Sequence, residues 1–233
     1  MLLEGVRAMK GFVIGVAVVW LVWAGLAGEV EAQKPRPTGD TPSLNGAQVI
    51  PRGRTALGIT VGYPSLRLHA IFGVGRNFDV GLMPALTYGA RFDGYRQRLG
   101  LNLQIPLRWA LADKPNFNFG FRLMPYFRIG EGSPAFSVGG NVGFRFGIAM
   151  PRVFTLIFGP EGRMGFASVG DSTPGRANGL DAELTGMVGL ESYFKGKWLF
   201  TLEMHFGHLF GAGGLPGGGF IYRTWFGFAY VFR

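Results

Sequence analysis

Apolar and polar residues alternate strictly over long stretches of this chain. In residues 99–111 (LGLNLQIPLRWAL), every second position from Leu99 to Leu111 carries a large apolar side chain. Gly, Asn, Gln, Pro, Arg and Ala stand between them. Such alternation predicts a β-strand with one apolar and one polar face. The pattern fits a soluble sandwich, with the apolar face inside, and equally a membrane barrel, with the apolar face against lipid.

Ten such segments lie between residue 53 and the C-terminus, separated by turn residues such as Gly-Arg-Asn, Asp-Lys-Pro-Asn and Lys-Gly-Lys. Strands joined by short connections pair in antiparallel fashion. The pattern therefore predicts an all-β fold, an antiparallel up-and-down β-barrel of about ten strands, with roughly eight to twelve compatible with the boundaries. The predicted strands cover residues 54–63, 66–74, 78–90, 99–111, 117–129, 136–148, 154–166, 180–194, 198–206 and 222–232.

Strand length and loop length favour a transmembrane barrel over a soluble sandwich. Segments of about ten to fourteen residues match tilted membrane strands, whereas soluble strands average about five or six. The connections after the second, fourth, sixth and eighth predicted strands are short, and the two longest, 167–179 and 210–219, lie on the other side. Short turns on one side and long loops on the other are typical of bacterial barrels. The connection Pro64-Ser65 is a short exception on the long side.

Aromatic residues of the apolar face cluster near the strand ends. Amphipathic rings favour the headgroup level of a bilayer, so these clusters predict two aromatic girdles. The candidate membrane-interface aromatics are Trp109, Trp198, Tyr222, Tyr230 and Phe232.

The opposite face mixes glycine with single charges, as expected inside a narrow barrel. Arginine dominates predicted strands two to six, whereas acids concentrate on strands seven to nine, so the two groups are expected to face one another across the lumen. One interpretation is an ion-pair network that fills the interior, since ten strands enclose little more space than eight. Another is a narrow, anion-preferring pore. The candidate lumen residues are Arg98, Arg108, Arg122, Arg128, Arg145, Glu161, Arg163, Glu183, Glu191, Glu203, His205 and Arg223.

The last predicted strand, TWFGFAYVF, resembles the C-terminal assembly signal of bacterial outer-membrane β-barrel proteins. Gly227, Tyr230 and Phe232 carry the resemblance, whereas Trp225 and the terminal Arg233 depart from it. The segment GVGRNFDVGL (73–82) is similar to a recurrent hairpin of such proteins. The resemblance is one of architecture and covers residues 53–233. It implies location in the cell outer membrane, contact with outer-membrane lipid and lipopolysaccharide, and insertion by the barrel-assembly machinery.

The N-terminus has the pattern of a signal peptide. Arg7 and Lys10 precede sixteen uncharged residues, 12–27, and small or tolerated residues then predict cleavage after Ala32. A retained anchor helix is the alternative, and Met9 is a second possible start. Residues 33–52, rich in Pro, Gly and small polar residues, predict an extended, poorly ordered periplasmic tail. The expected organisation is a signal peptide at 1–32, the tail at 33–52 and the barrel at 53–233.

Composition narrows the chemistry. The chain has no Cys and a formal charge of +9, but its basic residues are single arginines at alternate strand positions, which argues against nucleic-acid binding. The Gly-rich run 211–219 lacks the Lys-Ser/Thr of a phosphate loop. No cofactor or metal is expected. Glu203 and His205 share a face and are the candidates for an outer-membrane hydrolase, an alternative to the structural or interaction role and to the channel.

Overall fold

The computed structural model describes residues 42–88, 99–114, 116–130, 136–150, 154–168, 178–194, 197–211 and 219–232. These residues form eleven β-segments. Within these ranges, no helix is long and apolar enough to cross a membrane. The segments are β1 (Thr55–Tyr63), β2 (Ser65–Gly73), β3 (Phe78–Thr87), β4 (Gly100–Gln104), β5 (Leu107–Lys114), β6 (Phe117–Gly130), β7 (Phe136–Ala149), β8 (Phe154–Ser168), β9 (Asn178–Phe194), β10 (Trp198–Gly211) and β11 (Gly219–Phe232).

The strands close into a barrel. Each pairs in antiparallel fashion with its neighbours in sequence, and β11 pairs with β1 from Thr55↔Phe232 to Tyr63↔Thr224. Segments β4 and β5 occupy the same place between β3 and β6, so they are two halves of one strand. The molecule is therefore a ten-stranded antiparallel up-and-down barrel, and the predicted all-β barrel fold is confirmed.

The fourth predicted strand, expected to be continuous, is interrupted between β4 and β5. Pro106 has no N–H to donate to a neighbouring strand, so the ladder breaks at this point. The chain stays in place because the Gly81 N–H donates to the Pro106 carbonyl at 2.8 Å, and the Ile105 N–H donates to the Pro125 carbonyl at 2.9 Å. The barrel wall thus accommodates Pro106, and only residues 105 and 106, between β4 and β5, lie outside the regular strand pairing.

The apolar face points outward and the polar face points inward. In β4, Leu101 is 65% exposed, whereas Asn102 and Gln104 on either side of Leu103 are each only 7% exposed. The same alternation runs along β7, where Val142 is exposed and Asn141 is buried. The ambiguity of the alternating pattern is therefore resolved: large apolar residues cover the outside of the wall and charged residues fill the interior.

The segment before the first strand enters the barrel. For reference, the near end is where β1 begins, together with the connections after β2, β5, β7 and β9, and the far end is the opposite one. Residues 43–50, the inner segment, lie inside the near half, with Leu44 and Ile50 at 2% and 0% exposure. The expectation of a poorly ordered tail is wrong for these residues, because polar groups of the lumen bind their backbone.

Candidate functional site inside the barrel

A buried Asp–Arg pair holds the inner segment from one wall. Asp79 on β3 and Arg108 on β5 lie opposite each other in register, and the Arg108 Nε donates to Asp79 Oδ1 at 2.8 Å. The same guanidinium donates to the carbonyls of Ser43 at 3.0 Å and Leu44 at 2.7 Å. Asp79 also accepts the Ile50 N–H at 2.7 Å. Each member of the pair therefore binds the backbone of the inner segment as well as its partner.

Two glutamates hold the inner segment from the other wall. Glu191 on β9 accepts hydrogen bonds from the N–H groups of Leu44 at 3.1 Å and Asn45 at 2.7 Å, and from the Ser43 hydroxyl. The Asn45 amide donates to Glu203 on β10. Backbone N–H groups thus meet carboxylates while backbone carbonyls meet a guanidinium. These contacts give the buried backbone N–H and carbonyl groups of the segment hydrogen-bond partners in place of water.

One glycine of the wall makes room for the inner segment. A side chain at Gly120 on β6 would place its Cβ 2.6 Å from the Ala47 carbonyl oxygen. That separation is too short for any residue other than glycine unless the segment moves. Gly120 therefore allows the wall and the inner segment to approach each other closely.

Glu161 is the centre of an ion-pair triad in the middle of the barrel. It pairs with Arg122 on β6 and Arg145 on β7, and Asn141 donates to it at 3.2 Å. All four residues are buried, Arg145 at 1% exposure. One carboxylate is therefore shared by two buried guanidinium groups.

A second set of pairs lies towards the far end. Arg163 on β8 pairs with Asp181 and, at 3.5 Å, with Glu183, both on β9. Glu183 also accepts from Arg223 on β11 at 2.6 Å. The expectation that acidic and basic walls pair across the lumen is not met by these contacts, since the partners lie on adjacent strands or on strands one apart.

Trp225 is a lumen residue that sequence reasoning treated only as a departure from a motif. It is 2% exposed, its Nε1–H donates to the Ser65 hydroxyl at 3.3 Å, and the Arg67 guanidinium lies 3.5 Å above its ring. His205 contacts the same ring edge-on, with centroids 5.0 Å apart. Among the described residues, no carboxylate lies within ion-pair distance of Arg67, so the indole face is its main partner.

The candidate hydrolase pair lies deep in the network. The Glu203 carboxylate accepts from Asn45, and one of its oxygens lies 3.2 Å from His205 Nε2. Both residues are less than 5% exposed. The contacts of Glu203 thus fasten the inner segment to β10. Over the described ranges, no group of three or more potential metal-ligating side chains is placed to hold an ion.

The remaining candidates fall into two groups. Arg98 lies outside the described residues. Arg128 lies inside the far half, where its guanidinium is 5.9 Å from the Tyr126 ring. The outward aromatics pack in pairs. At the near end, the ring centroids of Phe78 and Trp109 and those of Trp198 and Tyr230 are each 4.8 Å apart. Towards the far end, the centroids of Phe206 and Tyr222 are 5.4 Å apart. Phe232 contacts Tyr230 at 4.7 Å.

Two inward residues, Asp181 and Tyr126, are missing from the candidate lumen residues although the alternating pattern already marks them as inward. Asp181 shares the parity of Glu183, lies inside the eighth predicted strand and is 5% exposed. Tyr126 shares the parity of Arg122 and Arg128 and is 4% exposed. Following the inward parity through every residue of the predicted strands identifies both.

Known proteins give no further assignment. No protein-family model matches the chain, and no curated protein matches it at a significant level.

Proposed function

We propose that this chain is an integral outer-membrane β-barrel, with a structural or interaction role, whose lumen is closed by its own inner segment and by buried ion pairs. The outward belt of large apolar side chains carries the proposal. Exposed apolar patches larger than a few hundred Å² are rare on soluble monomers, since each Å² of such surface costs roughly 25 cal/mol in water. In a bilayer the same belt contacts lipid and every buried charge stays inside.

The contents of the lumen support its closure. The inner segment fills the near half, the Glu161 triad occupies the middle, and pairs around Arg163 and Glu183 line the far half. A barrel of about ten strands has an interior that side chains nearly fill. The structural role therefore requires no further component to block the pore.

Orientation and partners complete the proposal. The signal peptide at 1–32 directs export, so the near end faces the periplasm and the far end faces the lipopolysaccharide leaflet. The barrel-assembly machinery inserts the chain through its last strand, β11. A narrow anion-preferring channel is the second candidate, favoured by the excess of arginine in the far half of the lumen.

Membrane insertion is tested directly. The protein is expected to remain with the outer-membrane fraction after an alkaline wash, to require detergent for extraction, and to migrate differently on gels before and after boiling. Closed barrels keep their compact shape in sodium dodecyl sulfate until heated. A mature chain that is soluble and monomeric without detergent refutes the membrane location.

A charge on the outward face tests the same proposal energetically. Val142 lies in the middle of β7 and is 43% exposed, so Val142→Arg is expected to destabilise the barrel in phospholipid vesicles by about 2–4 kcal/mol. Ile148→Arg, at the near end of the same strand, is the matched control and should cost only about 0–1 kcal/mol. Guanidinium titrations of vesicle-bound protein measure both. Equal effects at the two positions would mean that no bilayer surrounds β7.

A further inference from the structure

Five arginines line a small cavity in the far half of the barrel. The cavity has a volume of about 50 Å³, and we call it the arginine chamber. Its wall also includes Asn102, Gln104, Glu161 and Trp225. The five are Arg67, Arg122, Arg128, Arg163 and Arg223.

The chamber carries more positive than negative charge. Among the described residues, the carboxylates within ion-pair distance of Arg122, Arg163 and Arg223 are Glu161, Asp181 and Glu183. Glu161 is shared with a sixth guanidinium, that of Arg145. Arg67 is stacked on an indole ring instead of a carboxylate. An excess of buried cations is expensive unless a counter-charge is present.

Polar atoms of the chamber wall also lack partners. Asn102 Oδ1, Gln104 Oε1 and Arg122 Nε are buried without a hydrogen bond to any described residue, and each of these residues is only 7% exposed. A side-chain amide can turn to present its NH₂ group in place of its oxygen. The wall therefore has hydrogen-bond donors without acceptors beside the arginines. A ligand that carries only acceptor atoms would complete these hydrogen bonds.

We propose that the arginine chamber binds a compact oxyanion, a phosphate or sulfate group. A water molecule needs about 10–15 Å³ of such space, so the chamber has room for a few waters or for one tetrahedral oxyanion. Guanidinium forks bind such oxygens in bidentate fashion. The site lies inside the barrel and does not depend on the membrane location, so the two proposals fail separately.

Arg67 and Trp225 supply the test. Inorganic phosphate is titrated into the detergent-solubilised full chain, with heat measured by calorimetry and tryptophan fluorescence read in parallel. Saturable binding is expected, and movement of Arg67 off the indole should change a fluorescence signal that Trp225→Phe abolishes. Arg67→Gln should weaken binding at least about tenfold, the size of one charge-assisted bidentate contact. It breaks no ion pair among the described residues, and circular dichroism checks its fold.

The controls separate the possible sources of the oxyanion. Arg76→Gln removes the same charge from an exposed turn at the near end and should leave binding unchanged. A response to phosphate, but not to chloride at equal ionic strength, supports a site for a free anion. A Trp225 response only in nanodiscs of phosphatidylglycerol, and not of phosphatidylcholine, supports a lipid headgroup. No response in either arm, or an equal response in Arg67→Gln, overturns the proposal.

Discussion

Glu161→Ala is expected to lower the free energy of unfolding by about 3–5 kcal/mol, the usual cost of removing one partner from a buried ion pair. The carboxylate pairs with Arg122 and Arg145, both buried, and no other described carboxylate pairs with either of them. Its removal leaves two buried guanidinium groups without a carboxylate partner among the described residues. Guanidinium titration of the folded barrel in micelles, followed by the loss of the unheated gel band, measures the change.

A triple replacement separates charge from packing. In the variant that combines Glu161→Leu with Arg122→Met and Arg145→Met, no charge is left unpaired, and apolar replacements of buried triads are often neutral or stabilising. It is expected to fall within about 1–2 kcal/mol of the native barrel. If Glu161→Ala is as stable as the native protein, the triad is hydrated and the middle of the lumen is open to water.

The barrel wall could be predicted because its information is local. Strict alternation around Leu101 and Asn102 already separates two faces, and turn residues mark where each strand ends. The alternation alone did not decide which face points outward; the strand lengths, the loop lengths, the aromatic clusters and the distribution of arginine did. The break at Pro106 was not predicted because the alternation continues across it. Only the hydrogen-bond ladder of the folded wall shows where a missing N–H interrupts the pairing.

The inner segment could not be predicted because its partners are far away in sequence. Residues 43–50 have the composition of a loop, and nothing local distinguishes a solvated tail from a buried one. Their burial depends on Glu191, about 150 residues later, and on Arg108 of another strand. The charges themselves were predicted to point inward. What they bind depends on the three-dimensional closure of the barrel, which brings acids and arginines to the same backbone segment.

Pairing between nearby strands also changes how the lumen charges should be interpreted. Because Glu161 and Glu183 each serve two arginines on strands within two positions, the pairs brace the wall and leave the axis of the far half to the arginine chamber. The network and the anion-preferring channel are therefore compatible. Whether the lumen conducts ions therefore depends on the near half, where the inner segment lies.

Deletion of residues 42–50 is accordingly expected to convert a silent barrel into a conducting one. The deletion removes the ligands of Glu191 and Arg108 and empties the near half of the lumen. Planar bilayers should show resolved single-channel steps for the variant and none, or rare ones, for the native chain. The excess of arginine in the remaining far half predicts anion selectivity, seen as the sign of the reversal potential in a salt gradient. Replacing Arg122 and Arg145 by glutamine in this background should weaken that selectivity.

Deletion of residues 33–41 is the matched control, since it shortens the chain equally but keeps every described contact of the inner segment. It is expected to stay silent, so that conduction depends on what the segment binds and not on chain length. Conduction by both variants would mean that the inner segment does not seal the lumen. Silence of both, in protein that still shows the unheated gel band, would mean that the Glu161 triad blocks the pore without help, and the closed structural role would then hold with the inner segment as a passive occupant.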